Sequence, residues 1–344
     1  MGQPQVSVVI PVWNGERYLK QAIESILAQD FSDLELIVID DGSTDESANI
    51  AAWYMHDRRV SVRRQANAGV VGARNAGLHA SQAELVAFLD ADDIAKPDRL
   101  SKQVAYMLSN PEVAVVGSYI TCFSDTKGLI RTQQFPTGPS RVAQVLELGN
   151  PLAQPAVMLR KSMAMAVGGY RDAFKLGAED YDLWLRLSEK HPLDNIPEPL
   201  TLYRIHPESL TSRLGHEQTL AALVAACSHR RRIDGRPDPL DIMRSPVSSD
   251  DLCSLNLSDA EEAAFMPALI GLLPKRNASS EAFVALARRS WELRRHIPRG
   301  LLVRHCLFPA ISKLRKSGRS NEALGWLLRA LIAEPLSTGW MLLS

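Results

Sequence analysis

The sequence predicts an α/β fold in which a mostly parallel sheet is flanked by helices and followed by an α-helical C-terminal region. Three observations carry this. Short, largely apolar runs recur at residues 6–10, 34–39, 85–89 and 113–119. Segments with apolar residues at helical spacing separate them. From residue 215 onward only the helical period persists.

The elements follow in order. Residues 6–10 (Val6-Ser-Val-Val-Ile10) form the first strand, and residues 18–29 a helix with Leu19, Ala22, Ile23, Ile26 and Leu27 at helical spacing. Residues 34–39 form a second strand that ends in Asp40-Asp41-Gly42-Ser43. A helix then opens near Asp45, with Ser43 or Thr44 suited to cap it. Residues 60–62 are a short strand, 71–80 a helix, and 85–89 a third apolar strand that halts at Asp90. Pro97 opens a helix to about residue 108, and 113–119 is another buried strand. Strands apolar on both faces, separated by helices of about ten residues, are the mark of βαβ units covered on both sides.

Residues 120–210 are less regular: a turn at Gly168-Gly169-Tyr170, a helix over 179–190 and a late strand over 200–205. Trp184, Leu183, Leu185 and Leu187 read as core and acceptor-pocket wall. Residues 220–232, 260–273, 281–295 and 321–333 are expected helices, with a Pro- and Ser-rich break over 236–249. The domain boundary is placed near 214, giving a first domain over 1–214 and a helical domain over 215–344. The run from Gly318 to Leu331, followed by Pro335, resembles one half of a tetratricopeptide-like hairpin, an architecture that needs several stacked repeats.

The formal charges cancel over the 344 residues but are unevenly placed. Residues 1–214 hold 21 Lys/Arg against 26 Asp/Glu, and residues 215–344 hold 18 against 13. Cys122, Cys227, Cys253 and Cys306 are far apart and include no CxxC pair, so they read as reduced thiols and not as a zinc site. The N-terminus runs into the first strand without a basic leader, and no apolar run reaches the ~18–20 residues of a membrane span. The expected location is cytoplasmic, with the inner membrane surface as the alternative.

Chemistry-bearing residues fall at three strand ends: Pro11-Val-Trp-Asn14, Asp40-Asp41 and Asp90–Asp93. In open α/β sheets ligands bind beyond the carboxyl ends of the strands. Asp90-Ala91-Asp92 supplies hard oxygen ligands suited to Mg²⁺ or Mn²⁺, and the same acids also suit a solvated turn capping the next helix. One carboxylate of Asp40-Asp41 can accept the N3–H of a pyrimidine base; the alternative is an Asp/Ser helix cap, a place that Asp45 or Ser43 can fill. Arg74 suits a diphosphate partner or a surface charge. For Glu179-Asp180 the alternative is an acidic first turn complementing the helix dipole.

These residues together resemble a known family. Ser7-Val-Val-Ile-Pro-Val-Trp-Asn14, Asp40-Asp-Gly-Ser-Thr-Asp45, Asn67-Ala-Gly69 with Arg74-Asn75, and Phe88-Leu-Asp-Ala-Asp-Asp93 are similar, in order and spacing, to the family 2 inverting glycosyltransferases of GT-A fold. Gly168-Gly-Tyr-Arg171, Glu179-Asp-Tyr-Asp-Leu-Trp184 and Tyr203-Arg-Ile-His206 resemble that family's second half, so the resemblance spans about residues 5–212. It implies that Pro11, Asp41 and Arg74 line the nucleotide pocket. It implies that Asp90 and Asp92 form the metal motif, with Asp90 on the donor side and Asp92 the direct ligand of Mn²⁺ or Mg²⁺. Asp180 then takes the place of the general base, and His206 that of a histidine near the metal or diphosphate. The implied partners are a nucleotide-diphosphate sugar, a uridine one foremost, and a glycan or lipid-linked acceptor. The sequence carries no Gln-x-x-Arg-Trp motif after Glu179-Asp180, which points to one sugar added per visit.

The basic tail interleaves Arg288-Arg289, Arg294-Arg295, Arg299, Arg304 and Lys313-x-Arg315-Lys316 with Trp291, Leu301, Leu302, Leu307 and Phe308. That pattern suits a helix on an anionic bilayer, or equally a helical bundle with a solvated basic face. No nucleic-acid recognition motif accompanies it. Two other functions use related parts. A nucleotidyltransferase would also use strand-end aspartates, but Trp13-Asn-Gly-Glu16 stands where a basic triphosphate loop belongs. A non-catalytic scaffold would have no need of Asp90, Asp92 and Asp180.

Overall fold

The computed structural model describes residues 3–175, 177–207, 209, 215–241, 258–259, 263, 280–297 and 302–333. The chain forms two compact units, Met1–Arg213 with Ser228–Pro246, and Leu214–Cys227 with Val247–Ser344.

The first unit is α/β, as the apolar runs predict. Its strands are β1 (Val6–Val12), β2 (Leu34–Asp40), β3 (Val60–Arg64), β4 (Leu85–Phe88), β5 (Ile94–Ala95), β6 (Val115–Ser124), β7 (Gly128–Gln133), β8 (Met158–Arg160) and β9 (Leu193–Arg204). They form one sheet in the order 3-2-1-4-8-6-9-5, with β7 paired to β6. β3, β2, β1 and β4 are mutually parallel. The chain fills this half outward from β1 to β3 and then crosses to place β4 on the other side of β1. A switch point of this kind opens a crevice beyond the strand ends. Beyond β4 the sheet is mixed: β8 runs antiparallel to β4 and β6, while β9 is parallel to β6 and antiparallel to β5.

The helices of this half are α1 (Leu19–Leu27), α2 (Ser47–Trp53), α3 (Gly69–Ala80), α4 (Arg99–Ser109), α5 (Pro139–Leu146), α6 (Lys161–Ala166) and α7 (Glu179–Ser188). Val8, Ile10, Leu36 and Val38 are fully buried and pack with Leu19, Ile23 and Ile26 of α1. On the opposite face α3 presses against β1 so closely that a Cβ on Gly77 would lie 2.2 Å from Val9 Cγ1. Arg99, with no exposed surface, holds the β4–β8 junction through Phe88 O (2.7 Å), Val157 O (3.1 Å) and Pro155 O (2.8 Å). Trp184, Leu183, Leu185 and Leu187 are all buried.

Further helices are α8 (Gly215–Ile233), α9 (Ser280–Glu292), α10 (Phe308–Lys316), preceded by a π-helical stretch over Leu302–Leu307, and α11 (Ser320–Ala333). The second unit has a core of its own, built from Ala287, Cys306, Leu307, Ala310, Leu314 and Ala330. The helix expected over 260–273 lies outside the described residues, apart from 263. So do Arg299, Leu301 and Pro335. Among the described residues no helix is long and apolar enough to cross a membrane.

Candidate active site

The first strand end is tied to the second. Asn14, at φ 52°, follows β1 and accepts from Thr44 N at 2.8 Å, while its own N–H donates to Ser43 Oγ at 3.0 Å. Gly15 N donates to Ser47 Oγ and Glu16 N to Asp45 Oδ2. Asp45 Oδ1 accepts from Ser47 N at 3.0 Å, so of the candidates Ser43, Thr44 and Asp45 it is Asp45 that satisfies the opening of α2; Ser43 is engaged with Asn14. Pro11 sits beside Ile39 in the β1–β2 ladder.

Asp41 is buried, and both its oxygens are used. Oδ1 accepts from Gln65 Nε2 (2.7 Å) and Ala68 N (2.9 Å), and Oδ2 from Gly69 N (2.8 Å). Three donors at the mouth of α3 fix the Asn67-Ala68-Gly69 turn and set where the helix begins, and so where Arg74 lies along it. Gly42, at φ +75°, permits the approach: a Cβ there would stand 3.0 Å from Asn67 N.

The third strand end is the Asp90–Asp93 turn, closed by Asp93 N donating to Asp90 O. Asp92 Oδ2 lies 2.9 Å from His206 Nε2, with the Asp92 side chain about one-third exposed. Burial and the neighbouring Asp90 raise the pKa of Asp92, against the pull of His206. Asp93 is buried and accepts from Arg204 N at 2.8 Å; burial, Asp92 and Asp90 hold its pKa well above the usual carboxylate range. Arg204 completes the turn from the end of β9. Its Nε donates to Asp92 O at 2.8 Å, its other nitrogens reach Asp125 and Gln21, and its guanidinium lies 4.2 Å and 4.5 Å from the rings of Tyr18 and Phe123.

Arg74 links this turn to α7. It is buried, donates to Asp90 Oδ1 at 3.0 Å and pairs with Glu179. Burial opposes its charge, yet Asp90 and Glu179 hold its pKa above the ordinary arginine value. Glu179 is also buried, and burial pushes its carboxyl up to about 7 despite Arg74. Asp180 follows it at the start of α7. Its Oδ2 accepts from Asn150 Nδ2 at 2.8 Å and its Oδ1 from Tyr181 N at 2.7 Å. Burial raises its pKa, with Arg74 acting the other way.

The structure thus joins Arg74, Asp90 and Glu179 directly, with Asp180 beside them, and pairs Asp92 with His206 across 114 residues. Arg74 is neither a surface charge nor unoccupied by acids, and Asp41 faces the α3 turn. The sequence marked Glu179 only as part of an acidic first turn and gave no role to Asn150 or Arg204. Arg204 stood inside the Tyr203–His206 run, which was the one available signal; Asn150 offered none. Among the described residues no three His, Cys, Asp or Glu side chains are grouped to hold a metal ion. Asp92 and His206 supply one carboxylate and one imidazole, a donor set that fits a divalent cation whose other ligands come from a diphosphate.

The family model described as "Glycosyl transferase family 2" matches residues 7–168. The amylovoran biosynthesis glycosyltransferase AmsE of Erwinia amylovora is 34% identical over 214 residues, which cover 61% of this chain and 79% of that protein. The structure of S. aureus TarS 1–349 in complex with UDP-GlcNAc aligns at TM-score 0.60 and 14% identity, over 96% of this chain and 92% of that one. The mannosyltransferase PcManGT of Pyrobaculum calidifontis, solved with GDP-Man and Mn²⁺, aligns at TM-score 0.52 and 15% identity, over 99% and 88%. The fold is that of the GT-A glycosyltransferases.

Proposed function

The chain belongs to glycosyl transferase family 2 and is a glycosyltransferase, and we propose that it transfers one sugar per visit, with inversion, from a uridine diphosphate sugar to a glycan or lipid-linked acceptor. The observation that carries this reading is the Arg74 bridge. It sets a candidate base, Asp180, beside the strand-end acids through Glu179 and Asp90. Inversion in one step needs a base on the acceptor side and charge stabilisation on the leaving-group side, with no second nucleophilic carboxylate. Asp180 takes the proton of the acceptor hydroxyl as its oxygen attacks the anomeric carbon and the bond to the diphosphate breaks. The nucleoside diphosphate carries away the electron pair. Such base catalysis contributes typically ~10²–10⁴-fold.

Asp92 and His206 are the residues that would hold Mn²⁺ or Mg²⁺. The cation would neutralise charge on the departing diphosphate as a Lewis acid. The TarS complex with UDP-GlcNAc supports a uridine donor, and the archaeal complex with Mn²⁺ supports the metal. Amylovoran biosynthesis, in the name of AmsE, supports a glycan acceptor. Residues 1–214 serve as the catalytic domain in this reading, and the basic helices of 215–344 serve to dock on an anionic membrane surface.

The test is a thermal-shift screen of UDP-, TDP- and GDP-sugars with Mn²⁺ on wild type and Asp92→Ala. A shift with a UDP-sugar, reduced in Asp92→Ala, is expected. A shift with GDP-sugars alone would overturn the donor assignment, and no shift with any nucleotide sugar would overturn the donor site. Asp180→Asn is expected to bind donor and lose transfer.

A further inference from the structure

The loop after α5 is fastened to the opening of α7 at two points. Tyr181 OH donates to Leu146 O at 2.7 Å, and Asn150 Nδ2 donates to Asp180 Oδ2 at 2.8 Å. The loop is held from behind as well, because Asn195 Nδ2 donates to Pro151 O at 3.0 Å. Asn150 is itself set by Leu152 N, which donates to its Oδ1 at 3.2 Å, leaving the amide N–H₂ turned to the carboxylate.

We propose that Asn150 is the positioning residue for the base, its side-chain N–H fixing the plane of the Asp180 carboxylate and keeping it unprotonated for the acceptor hydroxyl. The proposal rests on Asp180 being that base. With Oδ1 on Tyr181 N and Oδ2 on Asn150, the carboxylate is held at both oxygens by neutral donors. An amide donates to a carboxylate and does not compete for its proton, so the bond favours the ionised form. One lone pair on each oxygen is left for the incoming proton. The charged and titratable groups facing Asp180 are Arg74 of α3, Asp90 at the end of β4, Glu179 beside it and the Tyr170 hydroxyl. Asn150 adds to them a neutral amide that does not titrate, from the loop after α5.

Asn150→Asp replaces the N–H donor by an acceptor. It is nearly isosteric and keeps the oxygen that accepts from Leu152 N, while setting a second carboxylate against Asp180. Asn150→Ala removes the whole side chain. Two readouts apply: the pH titration of the Asp180 side-chain ¹³C signal in the ligand-free protein, assigned with Asp180→Asn, and UDP release from UDP-GlcNAc with Mn²⁺, with water as the acceptor hydroxyl. The Asp180 midpoint is expected to move to higher pH in Asn150→Ala and further in Asn150→Asp. Turnover should fall about 10-fold in Asn150→Ala, a fraction of the ~10²-fold that misplacement of a reacting group can cost, with donor KM within about twofold. In the Asp180→Asn background Asn150→Ala should cause no further loss.

Unmoved midpoints in both variants would overturn the proposal, as would a further loss on top of Asp180→Asn. Wild-type UDP release by Asp180→Asn would instead overturn the assignment of the base, a result separable from the first because the ¹³C titration needs no turnover.

Discussion

Arg74 and Glu179 stand 105 residues apart in the chain and form a buried ion pair, with Asp90 on the other side of the same guanidinium. One cation thus serves two carboxylates directly and stands near a third, Asp180. Buried charges are tolerated only when paired and hydrogen-bonded, so the bridge constrains the site as much as it stabilises the fold. Arg74→Met would leave two acids facing each other without a counter-ion. It is expected to lower unfolding stability by about 3–5 kcal/mol, the usual cost of removing one partner of a buried pair. Arg74→Lys should cost less. Urea unfolding followed by circular dichroism measures both, and a loss below about 1 kcal/mol for Arg74→Met would contradict the bridge.

Glu179 makes stability depend on pH. Its carboxyl is raised from 4.5 to about 7 by burial. A group with a raised folded-state pKa contributes stability fully below its unfolded value and loses it as pH climbs through the folded one. The advantage of wild type over Glu179→Gln should therefore shrink between pH 4.5 and about 7, by at most about 3 kcal/mol. Unfolding midpoints of both proteins across that range check this. A difference that grows with pH would show that the Arg74 attraction outweighs desolvation.

Arg204 acts on the Asp92 turn from outside it. It donates to the Asp92 carbonyl from Nε and to Asp93 Oδ1 from its backbone N–H, and its guanidinium lies beside Tyr18 and Phe123. Arg204→Met keeps a long side chain and the backbone N–H but loses the guanidinium. Groups that orient a metal ligand typically matter by about 10–100-fold in affinity. Calorimetric titration of Mn²⁺ in the presence of UDP should show a loss in that range. Unchanged affinity would reduce Arg204 to a role in packing.

Gly77 sets how closely α3 lies on β1. A methyl group there would meet Cγ1 of Val9, a side chain with no exposed surface, at 2.2 Å. Gly77→Ala is expected to cost about 1–3 kcal/mol through overpacking, despite the better helix propensity of alanine. Thermal unfolding gives the comparison, and a stabilised variant would mean that α3 shifts without penalty.

How much of this was legible in the residues follows from how each element is built. β4 is a continuous apolar run buried on both faces, and β1, β2 and the start of β6 are mostly apolar and buried, so they stand out in a sequence. β5 has two residues and β8 three, too short for any period, and every residue of β7 is exposed, so nothing in its pattern marks it. The same division holds at the site. Asp90, Asp92, Arg74, Asp180 and His206 fall in motifs with recognisable order. Which acid meets Arg74 is decided by how α3 and α7 are placed on the sheet, and residue order carries no trace of that. Asn150 contacts Asp180 only because Tyr181 and Asn195 hold its loop in place. Asp41 illustrates a third case. The carboxylate was legible as functional, and its partners were legible as a turn, but their union required the end of β2 and the end of β3 to be neighbours.

The position of Arg204 at the end of β9, with His206 just beyond it, has a consequence for the order of assembly. β9 enters the sheet between β6 and β5, and only then does Asp93 gain its backbone donor and Asp92 its imidazole. Contacts of such wide sequence separation form slowly, because a long loop must close first. On the ribosome, where synthesis adds about 5–20 residues each second, β1 through β4 emerge many seconds before residue 206. During that interval Asp92 and Asp93 lack these partners, while Asp90 already has Arg74. Docking of the final strand brings the Arg204 guanidinium and the His206 imidazole to this turn and so relieves the charge crowded there.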